Sequence, residues 1–447
     1  MNSKIEPKVI PASTHKISRD SVSASALEVT KTLQDAGYQA YLVGGCVRDL
    51  LRKRTPKDFD IATDALPEQV KELFRSCRLI GRRFRLAHVR VGREFIEVAT
   101  FRSAPHGAVD DTEEDNGSAH INDAGQILRD NVFGSIDEDA MRRDFTVNAL
   151  YYQPSDETVI DYVGGVEDIE AGVLKTIGDP HERLREDPVR MLRAIRFSAK
   201  LGFKLDPEVE AAIAESGSLL HHVPPARMLD EAIKLFHSGH ALSAYEMLRE
   251  RGMFRYLFPF TEQCIIDGQP NIPALALANT DKRIAEDKPV IPAFLFACLL
   301  WEPLRLDMTK LIDNGVEYKR AFATAANDLI RDQSQHVSIP RRISLIMHEM
   351  WSMQSSLERR PQKSIERILA HKRFRASYDF LQLRCETDEA SREIYDWWTK
   401  IQDVDEQERH DMIRALAPQR NNRPAKRRRR KRPRSSSQQS SAQALGN

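Results

Sequence analysis

Only five cysteines (Cys46, Cys77, Cys264, Cys298 and Cys385) are scattered over 447 residues, and no two form a Cys-x-x-Cys pair. An odd, dispersed set argues against a disulfide framework and a structural zinc site, and it fits a reducing compartment, so a cytoplasmic location is expected. No apolar run approaches the ~20 residues that span a bilayer. The N-terminus has no apolar signal core, which argues against secretion and membrane insertion. Acidic side chains are missing altogether after Asp411.

That last absence gives the near-neutral total of +1 a different meaning. Eleven of the 67 lysines and arginines follow Asp411, which leaves 56 against 66 acids before it, a body near −10. The run KRRRRKRPR (426–434) reads as a solvated interaction tail with nucleic-acid phosphate as its partner, through Arg427, Arg428, Arg429, Arg430, Lys431 and Arg432. The whole chain is 41% hydrophobic, enough for two to four domains with real cores.

Local signals divide the body. Residues 1–22 are polar and contain Pro7 and Pro11, and read as a loose arm. Ser23 or Ser25 caps a helix that stops at Gly37. Strands are expected at Tyr41–Val43 and Phe59–Ala62, with a helix starting near Val47 between them, and a helix follows from Pro67 to Phe74. Ala87–Val91 and Phe95–Phe101, split by Gly92-Arg93-Glu94, read as a hairpin. From 103 to 125 the pattern disappears in a long acidic loop. After Tyr152 the sequence reads as helical throughout, including Arg190–Leu201, Ile291–Trp301 and Tyr395–Ile401. Residues 412–447, rich in Arg, Ser and Gln, read as disordered.

The stretch that carries chemistry is Gly44-Gly45, twelve residues, then Asp58-Phe59-Asp60. On a strand, Asp58 and Asp60 share a face. Two carboxylates so close repel one another, and a hard divalent cation such as Mg²⁺ removes the conflict. A diglycine turn before a helix offers amides that approach phosphate closely. Glu97 supplies a third acid on a nearby strand. Asp-x-Asp alone also describes a solvated strand face, and a diglycine alone a turn; their order and spacing favour a metal-and-phosphate site.

These residues resemble the polymerase-beta-like nucleotidyltransferases, and within them the group of bacterial poly(A) polymerases and class II CCA-adding enzymes. The matching segments are YLVGGCVRDLL (41–51), KDFDIAT (57–63), RRDFTVNALYY (142–152), DYVGGVEDIEAGVLKTIGDP (161–180) and REDPVRMLRAIRFSAKLGF (185–203). The resemblance implies an α+β protein: a small mixed nucleotidyltransferase head (23–152), a helical nucleotide-reading neck (153–250), a helical RNA-binding body (251–411) and the basic tail. It implies Asp58, Asp60 and Glu97 as ligands of two Mg²⁺ ions, with Asp58, Asp60 and Asp144 catalytic. Gly44, Gly45 and Arg48 would handle the triphosphate. Glu186, Asp187 and Arg190 would read the base edge, and Arg193 and Arg196 would reach phosphates or primer. On the residues alone, Glu186 and Arg190 also describe an ordinary intrahelical ion pair.

Within the family, the arginine-rich LIGRRFRLAHVRV (79–91), the helical continuation, the basic tail and the lack of a phosphohydrolase module favour the poly(A) polymerases over CCA addition. ATP is then the substrate, with Arg48 and the arginines of 82–85 on its phosphates. RNA 3′ ends and the RNA-decay machinery are the expected partners. An RNA-binding adaptor with a retired head would lack one of the three acids, and all three are present. A small-molecule nucleotidyltransferase gives no reason for the tail.

Overall fold

The computed structural model describes residues 6–81, 85–103, 120, 121, 127–129 and 132–416. Strand β1 (Lys8–Ile10) and a short helix α1 (Ala12–His15) precede α2 (Ala24–Asp35), whose first turn is capped by the Ser23 hydroxyl on the Ala26 amide. Then come β2 (Ala40–Val43), α3 (Gly45–Leu51), β3 (Asp60–Thr63), α4 (Pro67–Leu73), β4 (Cys77–Ile80), β5 (Leu86–Val91) and β6 (Glu94–Thr100). A separate two-stranded ribbon, β7 (His120–Ile121) and β8 (Ile127–Arg129), is followed by α5 (Ile136–Arg142), β9 (Leu150–Gln153) and β10 (Thr158–Asp161).

The eight-stranded head sheet runs β1-β10-β9-β2-β3-β6-β5-β4. All its pairings are antiparallel except β3 with β6. Helices α2 and α4 cover one face, burying Val29, Leu33 and Val70 against Leu42, Ile61 and Val98. On the other face Ala140 of α5 packs with Val43, Ala62, Phe101 and Tyr151.

Beyond the sheet lie α6 (Gly165–Ala171), β11 (Val173–Leu174), α7 (Pro180–Glu186), α8 (Val189–Leu201), β12 (Lys204–Leu205), α9 (Pro207–Ser216) and α10 (Pro225–Phe236). Helices continue to Ala415. One core runs from Phe145 through α8 and α10 to Phe380, and a smaller one gathers around Trp398. Among the described residues no helix is long and apolar enough to cross a membrane.

The sequence-based expectation of a mixed sheet head with a helical continuation holds. Four local readings change. Residues 8–10 are not a loose arm but an edge strand paired with β10. The stretch after Tyr152 is not helical throughout, since β10 closes the head sheet; its four residues leave too short an alternation to read. Strand β3 starts at Asp60, not Phe59, so Asp58 lies in the loop before it. The ladder ends there because Asp60 pairs with Val43, the last residue before β2 turns at Gly44. Glu186, Asp187 and Arg190 do not share one helix: α7 ends at Glu186, Asp187 is extended (φ −146°, ψ 90°), and α8 begins after Pro188. Proline removes an amide donor and keeps its predecessor out of helical geometry.

Candidate active site

The parallel register of β3 and β6 sets Asp60 opposite Glu97. Ile61, Ile96 and Val98 point into the core, so alternation turns the two carboxylates away from it together. Burial first, then Glu97 and, more weakly, Asp58, against the opposing charge of Arg143, together raise the Asp60 pKa to about 6. Glu97 is half exposed and accepts from His88 Nε2 at 3.0 Å. Among the described residues no three His, Cys, Asp or Glu side chains already enclose a cation. The donor set nevertheless fits Mg²⁺ in kind: three hard carboxylates, of which two raise the proton affinity of the third.

Gly44 caps α3 at φ 78° and ψ −127°, a conformation that side-chain-bearing residues avoid. Gly44→Ala is expected to lower unfolding free energy by about 1–3 kcal/mol, read by urea denaturation. Arg48 does not offer free donors to a ligand. It is 3% exposed, and its guanidinium donates to Asp49 Oδ1 at 2.8 and 2.9 Å and to Asn148 Oδ1 at 2.6 Å. Asn148 Nδ2 in turn donates to Asp144 Oδ1 at 3.3 Å. Arg48 therefore acts from behind, fixing the amide that fixes the acid.

Asp144 also accepts from Arg193, at 2.5 Å from Nη2 and 2.9 Å from Nε, and from the Phe145 amide at 2.9 Å. Burial would raise its pKa, but the Arg193 charge and these hydrogen bonds together hold it below the usual carboxylate range. Asp187 accepts from Arg227 of α10 at 2.6 Å. Glu186 accepts from Arg183 at 2.7 Å and Arg190 at 2.9 Å. Arg183 also donates to the carbonyls of Arg142 and Arg143 at 2.7 and 2.8 Å, which ties the turn before Asp144 to the neck.

Asp144, Asp187, Arg190 and Arg193 line one cleft of about 380 Å³ together with Thr100, Arg102, Asp139, Arg142, Arg143, Arg227 and Glu231. Burial, then Arg102, Arg143, Arg190 and Arg183, lower the Arg142 pKa to about 9. A guanidinium stays charged at neutral pH even so, and six arginines against four carboxylates leave the cleft lining net positive. A larger cavity of about 510 Å³ beside Tyr162, Gly164 and Lys175 holds none of the expected residues, whereas the smaller cleft holds Asp144, Asp187, Arg190 and Arg193.

Of the expected residues, Gly44, Gly45, Arg48, Glu186 and Arg196 do not line the cleft. Asp60 and Glu97 adjoin it through Ala99 and Thr100 of β6, which do. Arg85 is exposed and paired with Glu68, while Arg82 and Arg83, most of the loop 103–125 and Arg427 to Arg432 lie outside the described residues. Sequence reading missed Arg102, Asp139, Arg227 and Glu231. The Asp139–Arg143 ion pair (2.8 Å) was legible as an i,i+4 spacing; Arg227, forty residues from Asp187, left no local signal.

A mixed sheet carrying paired acids beside a helical neck is the architecture of the nucleotidyltransferases. The crystal structure of the Bacillus stearothermophilus CCA-adding enzyme in complex with CTP shares it, with a TM-score of 0.55 and 25% identity, over 88% of this chain and 81% of that one. Residues 40–175 match the poly A polymerase head domain, 202–265 the probable RNA and SrmB-binding site of polymerase A, and 314–435 the polymerase A arginine-rich C-terminus. Poly(A) polymerase I of Salmonella typhi is 45% identical over 433 residues, 94% of this chain and 92% of its own. The CCA-adding enzyme of Bacillus subtilis is 40% identical over 238 residues, 53% of this chain. The chain belongs to the bacterial poly(A) polymerase family and is an enzyme of that family.

Proposed function

We propose that the chain adds AMP from ATP to RNA 3′ ends without a template and releases pyrophosphate. The observation that carries this over CCA addition is the reach of the likeness: 94% of the chain aligns with a poly(A) polymerase and 53% with a CCA-adding enzyme.

Asp58, Asp60 and Glu97 would hold two Mg²⁺ ions. When bound, Mg²⁺ lowers the pKa of the RNA 3′-hydroxyl and neutralises charge on the departing pyrophosphate. The 3′-oxygen bonds to the α-phosphorus as the bond to pyrophosphate breaks, and the hydroxyl proton leaves to solvent. Gly44 and Gly45 let backbone approach the triphosphate. Asp144 faces the nucleotide sugar, and Arg193, Asn148 and Arg48 hold it in place. Asp187 supplies an acceptor and Arg190 a donor for the base edge. Adenine presents its amino group and a ring nitrogen to such a pair, and cytosine does the same, so the family resemblance across the two activities has a chemical basis. Glu186 orients Arg190 rather than meeting the base.

The deciding experiment incubates purified protein and Mg²⁺ with labelled RNA and each nucleoside triphosphate in turn. Long products with ATP alone are expected; a C-C-A addition that stops would overturn the reading. The scattered reduced cysteines favour a cytoplasmic setting, where tailed RNA would meet the decay machinery.

The basic tail should add electrostatic affinity without sequence preference. The last described helix, Glu406–Ala415, runs past Asp411, so truncation belongs after Leu416. Removing 417–447 is expected to weaken RNA binding about tenfold and to make the slope of log affinity against log salt shallower by several units. Equal slopes for full and truncated chains would retire the tail's RNA role.

A further inference from the structure

Four cations of the cleft are paired with carboxylates: Arg193 with Asp144, Arg190 with Glu186, Arg227 with Asp187 and Arg143 with Asp139. Just beyond it, the pairing stops. Arg196 and Lys200 continue along α8 from Arg193 at steps of three and four residues, which keeps them near one helix face over about 10 Å. Arg52, at the C-terminal end of α3, lies over the Phe203 ring with its guanidinium carbon 4.6 Å from the centroid. Arg196 lies 4.6 Å and Arg48 5.7 Å from the Phe197 centroid, which brings α3 against α8. The loop leaving α3 carries Arg54 and Lys57, the latter immediately before Asp58.

Arg52, Arg54, Lys57, Arg196 and Lys200 form no ion pair with a carboxylate of the described residues, unlike the neighbouring Arg48 and Arg193, which pair with Asp49 and Asp144. Arg52 Nη1 and Arg196 Nε are buried without a hydrogen-bond acceptor among those residues. Burial and then the neighbouring cations hold Arg52 and Lys200 below their ordinary pKa values; Arg48, Arg196 and Lys57 act on Lys200. Asp49 opposes this at Arg52 and Lys200, and Glu231 and Asp144 at Arg196, yet none of these acids forms an ion pair with them. Cations that repel one another, stack on aromatic rings and lack a direct ion-pair partner are a seat for an external polyanion.

We propose that Arg52, Arg54, Lys57, Arg196 and Lys200 form a strip that grips the phosphate backbone of single-stranded RNA and leads its 3′ end to Asp58 and Asp60. The inference rests on the adenylyltransferase reading for the identity of the polyanion. The base-reading cleft lies at the Arg190 end of α8, whereas the strip lies at the Lys200 end and meets the acid loop through Lys57.

The test uses the full chain with Arg52→Gln, Lys57→Gln and Lys200→Gln combined, and a short fluorescein-labelled oligoadenylate titrated without ATP across a salt series. Three lost phosphate contacts should weaken binding about tenfold and flatten the log–log salt slope by about 2, at ~0.7 per contact on a single strand. The KM for RNA should rise in step while the KM for ATP moves less than about twofold. Lys57→Glu with Lys200→Glu, both on exposed side chains, should weaken binding further with an unchanged unfolding midpoint. Unchanged affinity and slope in both variants would overturn the strip. A higher KM for ATP with RNA affinity intact would overturn it too, by assigning these cations to the triphosphate. Because binding is read without ATP, a wild-type chain that shows the strip-dependent slope but incorporates no adenylate would sink the adenylyltransferase reading and leave the strip supported.

Discussion

Asp60→Asn is expected to cut adenylate incorporation by at least ~10³-fold, about 4 kcal/mol of barrier, and Asp58→Asn to do the same. Asparagine keeps the size and part of the hydrogen bonding but removes the charge that would hold Mg²⁺. The structure separates this loss from unfolding. Burial and then Glu97 raise the Asp60 pKa to about 6, so ionising Asp60 at neutral pH costs stability rather than adding to it. For a raised carboxylate the sign runs one way: folding is favoured below that pKa and disfavoured as pH rises through it. The neutral amide removes this penalty, and the unfolding midpoint of Asp60→Asn at pH 7 should equal or exceed that of the parent chain. Activity that collapses while stability holds is the signature of a ligand position. Near-normal turnover in both variants would discard the acid assignment.

The placement of Asp60 beside Glu97 was legible in the sequence because its signals are local, whereas the shared strand face expected of Asp58 was not, since β3 starts only at Asp60. Gly44-Gly45, Asp58-Phe59-Asp60 and Glu97 each sit beside a turn or an alternating strand, and the β3–β6 register brings Asp60 to Glu97 as that pattern implies. The break between Glu186 and Arg190 was also written locally, in Asp187-Pro188, where the proline outweighs the helical spacing of the motif. Arg48 was misjudged for a different reason. Whether an arginine faces a ligand or the interior depends on what waits to receive it, and its acceptor Asn148 is a hundred residues away. The same holds for Arg227 on Asp187 and Arg193 on Asp144. Partners chosen by tertiary packing leave no period or spacing to read. The aromatic seats of Arg52 and Arg196 belong to this class as well.

Asp144→Asn should lower kcat about 10²-fold, roughly 2.7 kcal/mol, and should also weaken the fold, which distinguishes it from Asp60→Asn. Asp144 is the meeting point of Arg193 from α8, Asn148 and the Phe145 amide. An amide in its place can still accept one of these bonds, but it leaves the Arg193 guanidinium, two-thirds buried, without a counter-charge. Hydrogen bonds to charged groups contribute about 1.5–3 kcal/mol, and a loss of that order in unfolding free energy is expected at pH 7. The pH dependence supplies an independent check. Asp144 is held below the ordinary carboxylate range, so its contribution is present above the unfolded pKa and is lost as pH falls through the depressed one. Urea unfolding of the parent chain should therefore weaken in acid, and the gap between parent and Asp144→Asn should close there. Arg193→Gln should reproduce much of the stability loss, and the double variant should cost less than the two singles summed, with a coupling of about 0.5–3 kcal/mol. Full additivity would mean the ion pair does not hold the acid in place. A kcat for Asp144→Asn within about twofold of the parent, with the stability loss present, would leave Asp144 a fastener between head and neck and remove it from the nucleotide sugar.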